Sequence, residues 1–396
     1  MYKSIYDNNF DGKNVLIRVD FNVPLDKDLN ITDDNRIEES LSTIDKIIDD
    51  GGIPILMSHL GRPKGEKNLK YSLAPIAVHL DKKFGYKVHF AKDCIGPEAK
   101  NAIKEAEPGS IVLLENLRFY KEEEANDPEF AKKIAELGDC YINDAFGSAH
   151  RAHASTHAVA MLFKDRFAGK LMLSELEHLG KVLKNPQKPF VAVIGGSKIS
   201  GKIDVIRNLL GKCETIIIGG GMMFTFYKAM GLEIGKSILE EDKIELAKEL
   251  INEAKSKGVN LVLPEDVIVA AAFENEAESR SVSKSNIPTD WIGMDIGLES
   301  RKTFVNILSN ARTVLWNGPM GVFEMDNFAF GTYAIAKALA DVTAKGASTI
   351  IGGGDSAAAI KKIGLQDKVT HVSTGGGASL EFLEGKILPG VAALDV

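Results

Sequence analysis

The chain has 396 residues, 44% of them hydrophobic and 26% charged, with a net charge of −7. That length favours two domains over one, and an acidic total argues against a nucleic-acid or anionic-membrane surface as partner. Cys94, Cys140 and Cys213 form no C-x-x-C pair, no apolar run reaches a membrane span and the N-terminus lacks a signal core, so a cytoplasmic protein without disulfides or a zinc ribbon is expected.

From the N-terminus, short apolar runs alternate with longer helical patterns. Strands are expected at 14–21, 53–59, 87–91, 110–116 and 140–146. Between the first two, RIEESLSTIDKIIDDGG (36–52) reads as a helix closed by glycine. SELEHLGKVL (174–183) repeats apolar residues at helical spacing, with Ser174 as its expected N-cap. It ends at Asn185-Pro186 and Pro189, which stop a helix. It reads as a connector between two halves; the alternative is a crossover helix in one sheet, which so many strands would make too wide. The second half offers strands at 191–196, 215–221, 260–265, 313–319, 348–354 and 370–377. Continuous apolar strands mean sheets covered on both faces, and strand–helix alternation means parallel pairing. The expected fold class is α/β: two doubly wound parallel-sheet, Rossmann-like domains, 1–170 and 190–382, joined by a connecting helix and hinge at 171–189.

The junction VAVIGGSKISGKID (191–204) is a strand, a glycine turn and a helix start with two lysines, Lys198 and Lys202. Such a junction aims backbone N–H groups and a helix dipole at one spot, the usual setting for phosphate. It fits G-x-x-x-x-G-K, but Ile203 stands where that motif needs a hydroxyl for Mg²⁺. Either the turn is only a tight connection, or phosphate and metal are handled in another way. Ligands of parallel sheets bind at the carboxyl ends of strands. In the first half those ends carry Arg18, Asp20 and Asn22, then His59 and Arg62, Arg118, and Arg151, with Arg36 opening a helix. Converging arginines suit a small, multiply anionic ligand. The second half instead has glycine turns at Gly195-Gly196, Gly219–Gly221, Gly352–Gly354 and Gly375–Gly377, with Asp355 placed to carry Mg²⁺. No G-x-G-x-x-G occurs, which counts against a dinucleotide dehydrogenase.

One half suited to an anion and one suited to nucleotide phosphates suggest a transferase. RVDFNVPL (18–25), SHLGRP (58–63), ENLRF (115–119), GSAHRAHAST (147–156), GGSKISGK (195–202), WNGPMGVFE (316–324), GGGDS (352–356) and STGGGASLE (373–381) together resemble the phosphoglycerate kinase family, in its order and spacing. The resemblance implies that Asp20 and Asn22 hold the hydroxyl and carboxyl end of 3-phosphoglycerate. It implies that His59, Arg62, Arg118 and Arg151 hold its phosphate, with Leu60 and Gly61 in the same loop. Arg36 would sit by the reacting carboxyl group, and Lys198 would stabilise the phosphoryl group in flight. Lys202 would hold nucleotide phosphates. Gly219, Gly220, Gly221 and Gly293 would line the adenine site, Glu324 would bind ribose, and Gly195 and Asn317 belong to the same nucleotide site. Gly353, Gly354, Asp355 and Ser356 would serve phosphates and Mg²⁺, with Asp355 the metal ligand and Ser356 standing where many members have Thr. Gly354 and Gly375–Gly377 would present amides to the transferring group. The family also implies ATP or ADP as co-substrate, a role in glycolysis, a monomer, direct in-line transfer with hinge closure, and a C-terminal tail (383–396) packed back on the first domain. The rivals are a related small-acid kinase on the same scaffold and a non-catalytic nucleotide-binding protein. Since the acceptor is a carboxylate, no catalytic base is required, and positioning and charge remain.

Other features have plainer readings. His150, His153 and His157 share helical spacing but lack a completing ligand for zinc. Trp316 reads as a buried strand residue before a base-stacking one. Met222 and Met223 read equally as pocket border or core filler, and Glu122–Glu124 reads as a solvated acidic face.

Overall fold

The computed structural model describes residues 2–395. The chain divides into two compact units, residues 1–177 with 387–396, and residues 178–386. The C-terminal segment belongs to the first unit, where the Asn143 amide donates to the Gly390 carbonyl at 3.2 Å.

In the first unit, β1 (Asn14–Val19), β2 (Ile53–Met57), β3 (Lys87–Phe90), β4 (Ser110–Leu113), β5 (Cys140–Asp144) and β6 (Arg166–Ala168) form one parallel sheet in the order β3-β4-β2-β1-β5-β6. β1 lies near the middle, and its Val15, Leu16, Ile17 and Val19 have no exposed surface. That is why the run is continuous rather than alternating. Helix Asn35–Asp49 turns Ile37, Ile44 and Ile47 onto this core, and Gly51 just beyond it has φ +88°.

The second unit holds β7 (Phe190–Ile194), β8 (Thr215–Ile218), β9 (Asn260–Val262), β13 (Thr313–Asn317), β14 (Ser348–Gly352) and β15 (His371–Val372), parallel in the order β15-β14-β13-β7-β8-β9. A second sheet in this unit departs from the expected alternation. β10 (Asp266–Ala270), β11 (Ser279–Ser283) and β12 (Ile292–Ile296) pair antiparallel in the order β11-β10-β12.

The unit boundary falls within a single helix, Lys170–Lys184. Ser174 is therefore inside the helix rather than its cap. The first turn is held from far away in sequence: Lys170 N–H donates to Thr43 Oγ1 at 2.9 Å, and Met172 N–H to Asp144 Oδ1 at 3.2 Å. Among the described residues no helix is long and apolar enough to cross a membrane.

Candidate functional site

In the first unit, the ends of β1 and β2 and the loop after β4 bring one cationic cluster together. Arg18 is buried at the end of β1. It donates to Ser155 Oγ through Nε at 2.8 Å, to the Val19 carbonyl through Nη1, and to His59 Nδ1 through Nη2 at 3.0 Å. A guanidinium only donates, so Nδ1 accepts and the His59 proton sits on Nε2. Burial, reinforced by Arg18, Arg118 and Arg36, holds the His59 pKa well below the usual imidazole value. His59 thus offers a hydrogen-bond donor here and not a positive charge. His153 behaves alike: burial first, then Arg118, Arg18 and Arg151, lower it to about 4.

The other expected acceptor residues surround this pair. Arg36 Nη1 donates to Asp20 Oδ2 at 3.0 Å. Gly61 is clamped from two sides, its N–H donating to Asn22 Oδ1 at 2.9 Å and its carbonyl accepting from Arg118 Nη1 at 2.9 Å. Gly61 has φ +62°, and a Cβ there would lie 2.4 Å from the Tyr71 ring, so only glycine fits. Leu60 is buried, and its carbonyl accepts from Asn116 Nδ2 at 2.8 Å. Arg118 is buried, while Arg62 and Arg151 are exposed, Arg151 donating through Nε to His150 Nε2 at 3.1 Å.

Sequence reading missed what balances this charge. Glu123 is fully buried, not part of a solvated face. Its carboxylate accepts from Ser155 N–H at 2.9 Å and Ser155 Oγ–H at 2.5 Å. Burial raises its pKa, while Arg18 and Ser155 pull it down. Neighbouring Glu124 stays partly exposed and pairs with Arg118 Nε at 3.3 Å. The histidines have separate surroundings, His157 Nδ1 lying 3.4 Å from Asn126 Nδ2.

In the second unit, two cavities share Asp355. One, of about 660 Å³, is lined by Gly220, Gly221, Phe224, Gly293, Met320 and Glu324, among others. Met223 also lines it, whereas Met222 is core. Trp316 is buried and donates to the Gly318 carbonyl at 2.8 Å, so it does not stack on a bound base. The glycines serve close approach. A Cβ at Gly293 would lie 1.9 Å from Phe224 Cζ, one at Gly219 2.4 Å from Met320 Sδ, and one at Gly195 2.2 Å from the Pro319 carbonyl.

The second cavity, about 250 Å³, is lined by Lys202, Asn317, Gly353, Gly354, Asp355, Ser356 and Gly377, among others. Helices Gly354–Lys362 and Gly377–Leu383 both begin at it, entered through Gly353 (φ +89°) and Gly376 (φ +53°). Lys202 Nζ donates to Asn317 Oδ1. Burial lowers the Lys202 pKa, opposed by Asp355 and Glu384. Asn317 Nδ2 is buried with no partner in the structure. Ser356 is buried and its Oγ accepts from Gly318 N–H at 2.6 Å, so the hydroxyl has a structural partner. Lys198, Glu324 and Asp355 are exposed.

The glycine–lysine turn after β7 departs from expectation. Several of its amides are already taken: Gly195 N–H donates to the Asn317 carbonyl and Gly196 N–H to the Pro319 carbonyl, both at 2.9 Å, and Lys202 N–H to the Ile199 carbonyl at 2.8 Å. Helix N-termini face the smaller cavity instead at the Gly353 and Gly376 turns.

A family model described as phosphoglycerate kinase matches residues 5–386. Two relatives named phosphoglycerate kinase, from Chlorobium chlorochromatii and Pelodictyon phaeoclathratiforme, are each 58% identical over 393 residues, 99% of both chains. Among solved structures, phosphoglycerate kinase from Coxiella burnetii is 43% identical with a TM-score of 0.90, covering 100% of this chain and 99% of its own. The enzyme from Pyrococcus horikoshii is 32% identical with a TM-score of 0.85, covering 100% and 98%.

Proposed function

The chain belongs to the phosphoglycerate kinase family, and from that premise we propose how its residues carry the reaction. The reaction is the reversible transfer of a phosphoryl group between 1,3-bisphosphoglycerate and ADP, giving 3-phosphoglycerate and ATP. Its place is in glycolysis.

The acceptor belongs in the first unit. Arg62, Arg118 and Arg151 bind the triose phosphate, with His59 donating a neutral N–H. Asp20 and Asn22 orient the hydroxyl and carboxyl end, and Arg36 leaves its ion pair with Asp20 to meet the reacting carboxylate. The nucleotide belongs in the second unit. Its base lies in the larger cavity beside Gly220, Gly221 and Gly293, with Gly219 behind them against Met320, its ribose meets Glu324, and its phosphates enter the smaller cavity. There Lys202, the unpartnered Asn317 Nδ2 and the amides of the Gly353-Gly354 and Gly376-Gly377 turns receive them. That unpartnered buried donor beside two helix starts is the observation that carries the reading.

Among the described residues no three metal-binding side chains cluster, and Asp355 is an exposed carboxylate lining both cavities. One carboxylate suits Mg²⁺, which takes one or two carboxylates and completes its shell with water and substrate phosphates. Bound there, Mg²⁺ would neutralise charge on the nucleotide phosphates. Lys198 and Arg36 stabilise the transferring group and its acceptor oxygen during direct in-line attack. Acceptor and nucleotide are assigned to different units, and hinge motion at 171–189 is the proposed step that accompanies transfer. We also place the protein in the cytoplasm as a monomer, consistent with its three buried free thiols.

The test is steady-state phosphoryl transfer from ATP to a panel of small carboxylic acids, with and without Mg²⁺. Turnover on 3-phosphoglycerate alone, abolished by chelation and by Asp355→Asn, is expected. Preference for another acid would favour the related-kinase reading, and nucleotide binding without turnover on any acid would favour the non-catalytic one.

A further inference from the structure

The turn that carries Lys198 is anchored by an anion that the chain supplies itself. Glu240, 41 residues away in sequence from Ile199, sends its carboxylate into the turn. One oxygen, Oε2, accepts from Ile199 N–H at 2.5 Å and from Ser200 N–H at 3.1 Å. These two residues directly follow Lys198. In a phosphate-binding glycine–lysine loop such amides face the ligand; here a carboxylate already takes them. Glu240 is fixed in turn, its N–H donating to buried Thr225 Oγ1 at 3.4 Å and its carbonyl accepting from Lys243 N–H.

The same segment reaches the larger cavity, whose wall includes Lys236 and Ile238. At Gly221 a Cβ would meet Ile238 Cγ2 at 2.7 Å and the Ser197 carbonyl at 3.0 Å. The Lys198 turn and the Gly219–Gly221 turn therefore meet through backbone, and residues 236–240 lock onto both through the side chains of Ile238 and Glu240. Buried Ile199 pins the turn on one side of Lys198 and the Gly196 N–H bond to Pro319 pins the other. Lys198 itself is exposed, so the backbone under it decides where its ammonium stands.

We infer that Glu240 is a positioning residue for catalysis: its carboxylate fixes the 198–200 backbone so that the Lys198 ammonium meets the transferring phosphoryl group. This rests on the role assigned above to Lys198. A group displaced by about an ångström can lose about 100-fold in rate, so Glu240→Ala should lower kcat roughly 10- to 100-fold. Glu240→Gln keeps a carbonyl oxygen able to accept from both amides and should recover most of that rate. The deciding measurement is a double-mutant cycle. Lys198→Ala with Glu240→Ala should turn over no more slowly than Lys198→Ala alone, because without the ammonium its placement no longer matters. Losses that multiply in the double variant would overturn the inference, as would a Glu240→Ala enzyme with wild-type kcat. A Lys198→Ala enzyme at wild-type rate would overturn it together with the Lys198 assignment, whereas a slow Lys198→Ala beside a normal Glu240→Ala would overturn the inference alone. Should Glu240→Ala fail to fold, Glu240→Leu, which keeps the bulk but not the acceptor, takes its place in the same cycle.

Discussion

Gly293→Ala tests the base cavity directly. The added methyl would start 1.9 Å from Phe224 Cζ, where ordinary contact begins at 3.4 Å, so the ring must move by 1.5 Å. Phe224 is buried and meets Tyr227 edge-on, with ring centroids 5.9 Å apart. Its free side is the 660 Å³ cavity it helps to line. Relief therefore runs into the space assigned to adenine. Overpacking of this kind costs about 1–3 kcal/mol, and if the strain must be reversed for the base to enter, ADP affinity falls about 5- to 150-fold. Isothermal titration with ADP reads this, and titration with inorganic pyrophosphate is the control, since the smaller cavity is untouched. The same strain should lower the second unit's melting temperature by roughly 2–12 °C. ADP binding within about twofold of wild type, or pyrophosphate weakened as much as ADP, would refute the placement of the base.

Three further outcomes follow from other parts of the molecule. Glu123→Ala leaves the buried Ser155 N–H and hydroxyl without their acceptor and should destabilise the first unit by about 1–3 kcal/mol in urea unfolding; an unchanged stability would mean that Glu123 does not hold Ser155 in place. His153 has a folded pKa near 4, below its unfolded value of 6.5. Between those values the unfolded chain binds the extra proton, so stability falls as pH drops from 6.5 towards 4; the urea midpoint of His153→Gln should show a shallower decline over that window, and an unchanged slope would contradict the buried neutral imidazole. Small-angle scattering should give a smaller radius of gyration with both substrates bound than with either alone, and an unchanged value would count against hinge closure.

Much of this was legible in the sequence for a physical reason. Parallel strands buried on both faces need continuous apolar runs, so β1, β7 and β13 stand out. Polar residues and glycines gather where those runs stop, which is how Arg18, His59 and the Gly352–Gly354 turn come to notice. What stayed hidden depends on partners distant in sequence. β11, SRSVS, is mostly exposed and polar, so the antiparallel sheet carries no apolar signal. Glu123 resembles its exposed neighbours until Ser155, itself held by Arg18, folds onto it. Ser174 looks like a cap because the true start of its helix is held by Thr43 and Asp144. The amides of the Lys198 turn look free because nothing local marks Glu240 as their acceptor.

The most direct measurement is Mg²⁺-dependent transfer from ATP to 3-phosphoglycerate in the wild type, Arg36→Ala and Lys198→Ala, with ligand affinities taken alongside by calorimetry. Removing a contact that strengthens only as charge moves lowers kcat while leaving ground-state binding nearly intact. Turnover lost in both variants, with ADP still bound by Lys198→Ala and 3-phosphoglycerate still bound by Arg36→Ala, is the expected result. Affinity falling in step with kcat would contradict it, and would recast both residues as ordinary binding groups.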